Sequence, residues 1–381
     1  MNQPIRVLQV LTIMNHGGAE NMIMNYYRHV DRTKIQFDFL LHRKEKGTFD
    51  DEIKSLGGKI YYMENLSIKK ISAYIKSLDT FFKKHHEFKI VHSHLNAYSV
   101  FVLRAAKKNR VPIRIAHSHT SLYNINLNPF SKERNSLNFI VKFLSQNILK
   151  HKITTYSNCY FSCGEKAGNW LFGKKNASKV KIINNAINSD AFIYDKDKSL
   201  EIKKQLQVEG TLVIGHIGNF VPEKNHLFLL KVYQELKKMD ANTSLVLVGD
   251  LRINELEKLI DKKNISDDIK VLGTRNDIPE ILQSIDIFLF PSINEGLPVT
   301  LIEAQAAGIK TIASEEITKE VKITHLIDYI SLHQPPKFWA EQILNSYPYE
   351  RVNTKDQIIS GGYDIKNNAI LLQDYYIDQC S

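Results

Sequence analysis

Glu295 and Glu303 stand eight positions apart in SIDIFLFPSINEGLPVTLIEAQAAGIKTIAS, residues 284–314. The stretch reads as strand, loop, helix, strand. Residues 285–290 have the aliphatic and aromatic composition of a buried parallel strand, which Pro291 ends. A polar loop, 292–296, follows. Pro298 suits the first turn of a helix, the helix runs to about Ala307, and Gly308 suits the position just past its end. Residues 309–313 read as the next strand. The loop and helix N-terminus, at Gly296 and Leu297, offer free backbone N–H groups and a positive dipole end, a seat for phosphate. Two acceptor-only carboxylates beside that seat suit hydroxyls. Open α/β sheets bind ligands beyond the carboxyl ends of their strands. A nucleotide-sugar carries this combination: a diphosphate, a ribose diol and a hexose diol. Spacing alone is equally compatible with a surface Glu and a solvated helix Glu.

Glu295-Gly296-Leu297-Pro298, followed by Glu303-Ala304 and Ala307-Gly308, resembles the E-x7-E signature of the large retaining glycosyltransferase family 4. The resemblance covers nearly the whole chain. It implies the α/β GT-B fold, two Rossmann-like doubly wound parallel-sheet domains facing each other across a cleft. It assigns Glu295 to sugar hydroxyls and Glu303 to the ribose diol. It further implies retention of anomeric configuration without a bound metal, with the nucleotide-sugar as substrate and no cofactor.

A second phosphate grip precedes this unit. Residues 212–217 read as a strand, followed by Gly218-Asn219, then Lys224-Asn225 and a helix from about His226. A lysine gives a point charge where a diphosphate leaves. The family usually has Gly-Arg where this chain has Gly218-Asn219. Asn219 can donate a neutral hydrogen bond but supplies no charge. Further on, Gly273-Thr274-Arg275 is similar to the family turn that faces the nucleotide base. Arg275 either stacks on a base or replaces the missing charge.

In the first half, residues 5–11 form a strand that leads into Gly17-Gly18-Ala19-Glu20, similar to the family loop near donor and acceptor. As a dinucleotide fingerprint the two glycines are weak, since G-x-G-x-x-G is incomplete. Glu20 could equally favour the helix N-terminus electrostatically. Strands over 36–42, 59–63, 89–94 and 113–117 alternate with helical stretches, the pattern of a parallel sheet. Two of them end in His-x-His: His92 with His94, and His117 with His119. Alternation turns each pair to one face. Such pairs can ligate metal or form structural hydrogen bonds, and with no carboxylate nearby in sequence no metal is expected. The family resemblance favours His119, with His117 second, as the histidine that reaches the donor sugar.

Residues 68–86 are amphipathic, suited to packing on a sheet or lying on a membrane. Residues 121–134 form a long polar loop and 136–149 an apolar helix bracketed by Lys132, Arg134, Lys150 and Lys152. This region is either the acceptor side with a membrane contact or a core helix. Asp195-Lys196-Asp197 spells a D-x-D metal motif but falls in a linker.

The chain's 381 residues exceed one ordinary core and suit two α/β domains. A boundary near 190 divides an acceptor-side domain, 1–190, from a nucleotide-sugar domain, 191–363. The resemblance implies that a last helix, 364–381, returns to the first domain. Residues 1–190 carry 30 Lys+Arg against 13 Asp+Glu, a surplus of 17, while the remainder carries 21 against 28, a deficit of 7. A basic half fits an anionic membrane surface or a diphosphate-bearing acceptor, or simply a lysine-rich chain. No nucleic-acid reader motif is present, so no nucleic-acid partner is expected. No apolar run reaches the roughly 18 residues of a membrane span. The N-terminus lacks signal-peptide anatomy and the three cysteines form no paired framework, which together suggest a cytoplasmic protein with reduced thiols, peripheral on the inner membrane face.

The expected activity is transfer of a hexosyl group from a UDP-sugar to an acceptor hydroxyl. The acceptor class is a lipid-linked saccharide, as in exopolysaccharide, capsule or related surface-glycan synthesis. Two alternatives stand beside it: a catalytically weak nucleotide-sugar-binding partner protein, and a GT-B nucleotide-sugar epimerase.

Overall fold

The computed structural model describes residues 3–67, 70–119, 137–250 and 268–380, and of 137–140 the backbone alone. The chain divides into two compact units, residues 1–186 with 365–381, and residues 187–364.

Unit 1 is a seven-stranded sheet. Its strands are β1 Ile5–Leu11, β2 Ile35–Leu41, β3 Ile60–Tyr62, β4 Ile90–Ser93, β5 Ile113–Ser118, β6 Cys159–Ser162 and β7 Val180–Ile182. They lie in the order β3-β2-β1-β4-β5-β6-β7, and every pairing is parallel. Both faces are covered, so a central strand such as β2, IQFDFLL, is buried along its whole length. Its one charge, Asp38, is held by the Arg6 guanidinium on β1.

Unit 2 is a six-stranded sheet built the same way. Its strands are β8 Leu212–Ile217, β9 Thr243–Val248, β10 Ile269–Val271, β11 Ile287–Phe290, β12 Lys310–Ser314 and β13 Ile327–Ile330. Their order is β10-β9-β8-β11-β12-β13, again all parallel. In each sheet the chain reverses its winding beside the first strand, between β1 and β4 in unit 1 and between β8 and β11 in unit 2. At such a switch the connections leave on opposite faces and open a crevice at the strands' carboxyl ends.

Several helices answer questions left open by sequence. Helix Ile71–Lys84 buries Tyr74, Leu78 and Phe82 against the unit 1 core, so its apolar stripe packs on the sheet. Helix Leu137–Leu149 leaves Val141, Leu144 and Ile148 exposed at 37%, 51% and 68%. The polar loop expected over 121–134, with Lys132 and Arg134, lies outside the described residues. Asp195 caps helix Lys196–Gln205 by accepting from the Asp197 and Lys198 N–H groups, which accounts for the D-x-D letters without a metal. Helix Ile365–Asp378 packs against helix Gly18–His29 and sinks Tyr376 into the unit 1 core.

Candidate functional site

The segments that follow β8 and β11 are laced together at the unit 2 switch point. The Ile293 N–H donates to the Glu223 carbonyl at 2.8 Å, and Asn225 Nδ2 donates to the Pro291 carbonyl at 3.2 Å. Asn225 can make this bridge because it takes the left-handed conformation, φ 56°, which asparagine tolerates, at the start of helix His226–Met239. Lys224 Nζ then sits 2.8 Å from Glu295 Oε1, with both side chains largely buried. The same ammonium lies 4.7 Å from the centre of the Phe290 ring. Gly218 makes room for it, since a Cβ there would come within 2.9 Å of Lys224 Cδ and Cε.

Near this ion pair His216 Nε2 and Ser292 Oγ are buried with no hydrogen-bond partner among the described residues, as is Thr300 Oγ1 on the helix that follows Glu295. Glu295 Oε1 joins them, because its contact with Lys224 is close but not aligned as a hydrogen bond. Unmade bonds at buried atoms cost free energy unless water or a ligand supplies them. His216 gives its Nδ1–H to the Leu289 carbonyl at 2.9 Å, so Nε2 is a bare acceptor. Burial, His226 and Lys224 hold His216 well below the usual histidine range, and burial takes His226 down to about 4. The lysine is thus the cation of this group at neutral pH.

Helix Val299–Ala306 begins one residue later than expected, with Pro298 as its cap. Gly296 is exposed, and Leu297 packs partly against the unit 2 core. Burial raises the Glu303 carboxyl to about 7. A carboxyl whose folded pKa is raised keeps its proton in the folded state, so stability falls as pH rises from about 4.5 to about 7. Glu303→Gln should flatten the dependence of melting temperature on pH across that window.

In unit 1 the parallel register sets His94 beside His117, one step beyond the Ser93–Ala116 pair. All four histidines form one stack, with His92–His94 ring centres 4.2 Å apart and His117–His119 4.0 Å apart. Among the described residues, nitrogens of His92, His94 and His117 lie within 4.8 Å of one another, close enough to share a cation. Their rings are joined here by N···N hydrogen bonds. After β1, Gly17 caps helix Gly18–His29, and the Glu20 carboxyl folds over it, within 2.3 Å of where a Cβ would be. Gly18 faces open space.

Residues 197–324 match the family model for glycosyl transferases group 1. The chain is 34% identical over 379 residues to the putative glycosyltransferase EpsF of Bacillus subtilis, covering 97% of this chain and 96% of that protein. This chain belongs to the group 1 glycosyl transferases. The transferase is also 25% identical, over 90% of its length and 89% of the relative's, to an Escherichia coli enzyme. That relative is described as a UDP-Gal:alpha-D-GlcNAc-diphosphoundecaprenol alpha-1,3-galactosyltransferase. Among solved structures it superposes on Anabaena HepE in complex with UDP and glucose. The TM-score is 0.76 at 16% identity, over 98% of this chain and 100% of the other, a likeness that establishes the GT-B fold class.

Two residues expected in the donor site have side-chain partners within unit 2. Arg275 is exposed and gives both prongs of its guanidinium to Asp277, with Nε 2.8 Å from Oδ1, so a charge two residues away already holds it. Asn219 uses its Oδ1 to accept the Asp250 N–H at 3.0 Å and thereby ties the loop after β8 to the loop after β9. Sequence reading also passed over His216, His226, Ser292 and Thr300. The available signal was their position: His216 and Ser292 lie on or just after the strands flanking the switch point, and His226 and Thr300 lie in the first turns of the helices that follow.

Proposed function

We propose that the transferase is a retaining, metal-independent hexosyltransferase of family 4. It would move a sugar from a UDP-sugar to a hydroxyl of a lipid-linked saccharide in surface-glycan synthesis. The observation that carries this reading is the Lys224–Glu295 pair, set among unpartnered polar atoms at the unit 2 switch point. Glu295 neutralises the ammonium. An arriving diphosphate takes the ammonium over with two negative charges, and Glu295 is released to accept from hydroxyls of the sugar. The Gly296–Leu297 backbone at the helix end adds N–H donors. As the glycosidic bond breaks, charge grows on the leaving diphosphate, where Lys224 stabilises it. That diphosphate, on the same face as the incoming hydroxyl, takes the hydroxyl's proton, and configuration is retained. Glu303 accepts from the ribose diol, and the resemblance gives His119 the donor sugar and Gly17 and Gly18 the loop beside it.

Ribose hydroxyls donate to the carboxylate and not to the acid, so donor binding favours ionised Glu303. With a folded pKa of about 7, UDP affinity should rise about tenfold between pH 6 and pH 8. Titration calorimetry on the wild type and on Glu303→Gln checks this, and the variant should show the smaller rise.

The acceptor reading draws on the lipid diphosphate named for the Escherichia coli relative. It also draws on the exposed Val141, Leu144 and Ile148 stripe beside Lys142 and Lys152, a face suited to an anionic bilayer. Leu144→Glu with Ile148→Glu should lower co-sedimentation with phosphatidylglycerol vesicles by on the order of tenfold or more, given ~1.5–3 kcal/mol per buried aliphatic side chain. Radiolabelled UDP-hexoses offered with polyprenyl-diphosphate saccharides test the reaction itself. Transfer with retained anomeric configuration, undiminished by chelator, is the expected result. Binding of UDP without transfer to any acceptor would favour a silent partner protein, and release of a free epimerised sugar would favour an epimerase.

A further inference from the structure

The four stacked histidines of unit 1 are joined into two hydrogen-bonded chains that share one anchor, Gln9 on β1. Gln9 stands level with His92 in the β1–β4 register and is fully buried. Its Oε1 lies 2.9 Å from His94 Nε2, and its Nε2 lies 3.4 Å from Tyr376 Oη. From there the first chain runs His94 Nδ1···His119 Nε2 at 2.8 Å. The second runs Tyr376 Oη···His92 Nδ1 at 2.7 Å and His92 Nε2···His117 Nδ1 at 3.0 Å. Two ring atoms at the far ends, His119 Nδ1 and His117 Nε2, are buried without a partner among the described residues.

The protons in these chains follow from counting donors and acceptors. An amide oxygen only accepts, so His94 carries its proton on Nε2. His94 Nδ1 is then an acceptor, and His119 must donate from Nε2. That leaves His119 Nδ1 a bare lone pair. On the other branch, the Gln9 amide N–H donates to Tyr376 Oη, so the phenol proton goes to His92 Nδ1. His92 then donates from Nε2 to His117 Nδ1, and His117 ends in a free Nε2–H. Every ring comes out as the Nε2–H tautomer, which is the intrinsically favoured form of a neutral imidazole side chain. Turning the Gln9 amide over would reverse both chains at once and force all four rings into the disfavoured Nδ1–H form. Burial keeps the rings neutral: His92, His94 and His117 are held well below the usual range, and His119 falls to about 3.

We infer that Gln9 is a positioning residue that sets the direction of both histidine chains and so makes His119 a fixed, uncharged hydrogen-bond acceptor at Nδ1. The step from acceptor to substrate rests on placing His119 against the donor sugar. There a sugar hydroxyl donates to Nδ1, and His119 neither donates a proton nor adds charge. Specificity follows from polarity: the site takes a hydroxyl at that position and rejects a sugar that offers only an acceptor there.

The test is the ¹⁵N spectrum of histidine-labelled full-length protein at pH 7, assigned through single His→Phe variants. The expected result is four neutral Nε2–H signatures for His92, His94, His117 and His119. A charged ring, or Nδ1–H at His119, overturns the inference. So does zinc retained through purification with metal-shifted nitrogens, because coordination would consume the lone pairs the chains use. Gln9→Met, of similar shape but without the amide, strands the His94 Nε2–H in an apolar setting. It should therefore produce a measurable Nδ1–H population at His119, and an unchanged spectrum would overturn the role of Gln9. In steady-state assays Gln9→Met should raise KM for the nucleotide-sugar about tenfold, the scale of one hydrogen bond of 1.4 kcal/mol, with kcat changed less. If the spectra behave as stated while KM is unmoved, the tautomer assignment stands and the placement of His119 against the sugar fails.

Discussion

Lys224→Met should reduce turnover by two orders of magnitude or more, and Glu295→Ala should fall by a similar factor. The two losses have different causes. Lys224 is the cation of the unit 2 group, since burial holds the adjacent His216 below the usual histidine range and takes His226 to about 4. Arg275, which could have supplied a second charge, is bound to Asp277. Removing the ammonium therefore leaves the departing diphosphate with uncharged donors. Losing one preorganised contact of this kind costs roughly 10²–10³ in rate. Lys224→Met should act on kcat and also weaken UDP binding. Glu295→Ala leaves the ammonium in place, so UDP affinity should hold or rise while kcat falls, because the carboxylate that competes with phosphate is gone. Single-turnover rates alongside UDP titration separate these outcomes, and undiminished turnover in both variants would remove the site assignment.

Trp339→Ala should be the most destabilising single change in unit 2, at about 3–5 kcal/mol for deleting a buried indole. Trp339 is fully buried on helix Pro336–Asn345, packs edge-on against Phe228 at 5.4 Å, and donates its indole N–H to the Ser331 carbonyl at 3.3 Å. Phe228 lies in the first turn of helix His226–Met239, immediately after Lys224 and Asn225. The cavity would therefore open beneath the segment that presents the ammonium. The unit 2 melting transition should drop by on the order of 10 °C, and saturating UDP should recover part of the loss by mass action. Hydrogen exchange should show faster opening of helix His226–Met239 in the variant, while strands β1 to β5 keep wild-type protection.

The strands were legible because parallel strands covered on both faces read as short apolar runs, and β8 and β11 stand out in the sequence for that reason. Lys224 and Glu295 were legible as candidates because each follows such a run. Their meeting was not, since it depends on β8 and β11 being neighbours, and the two residues stand 71 positions apart. The histidine pairs were visible as two His-x-His ends, but the parallel register that stacks them is a tertiary fact. Gln9, a polar residue set between Leu8 and Val10 in a buried strand, gave no periodic signal at all. Asn219 could not be assigned from its neighbours because its partner, the Asp250 N–H, lies 31 residues on. Arg275 differs: Asp277, its ion-pair partner, was in plain view two positions away.

The return of helix Ile365–Asp378 to unit 1 also fixes an order of events on the ribosome. Residues 187–364 emerge as an uninterrupted block and can fold as soon as they clear the exit. Unit 1 begins first yet is completed only after all of unit 2 has been added, because Tyr376, which closes the core between Gln9 and His92, follows it in the chain. Until that helix arrives, β1 and helix Gly18–His29 lack the partner that packs on them, and this open apolar seam is where a chaperone would find work during translation.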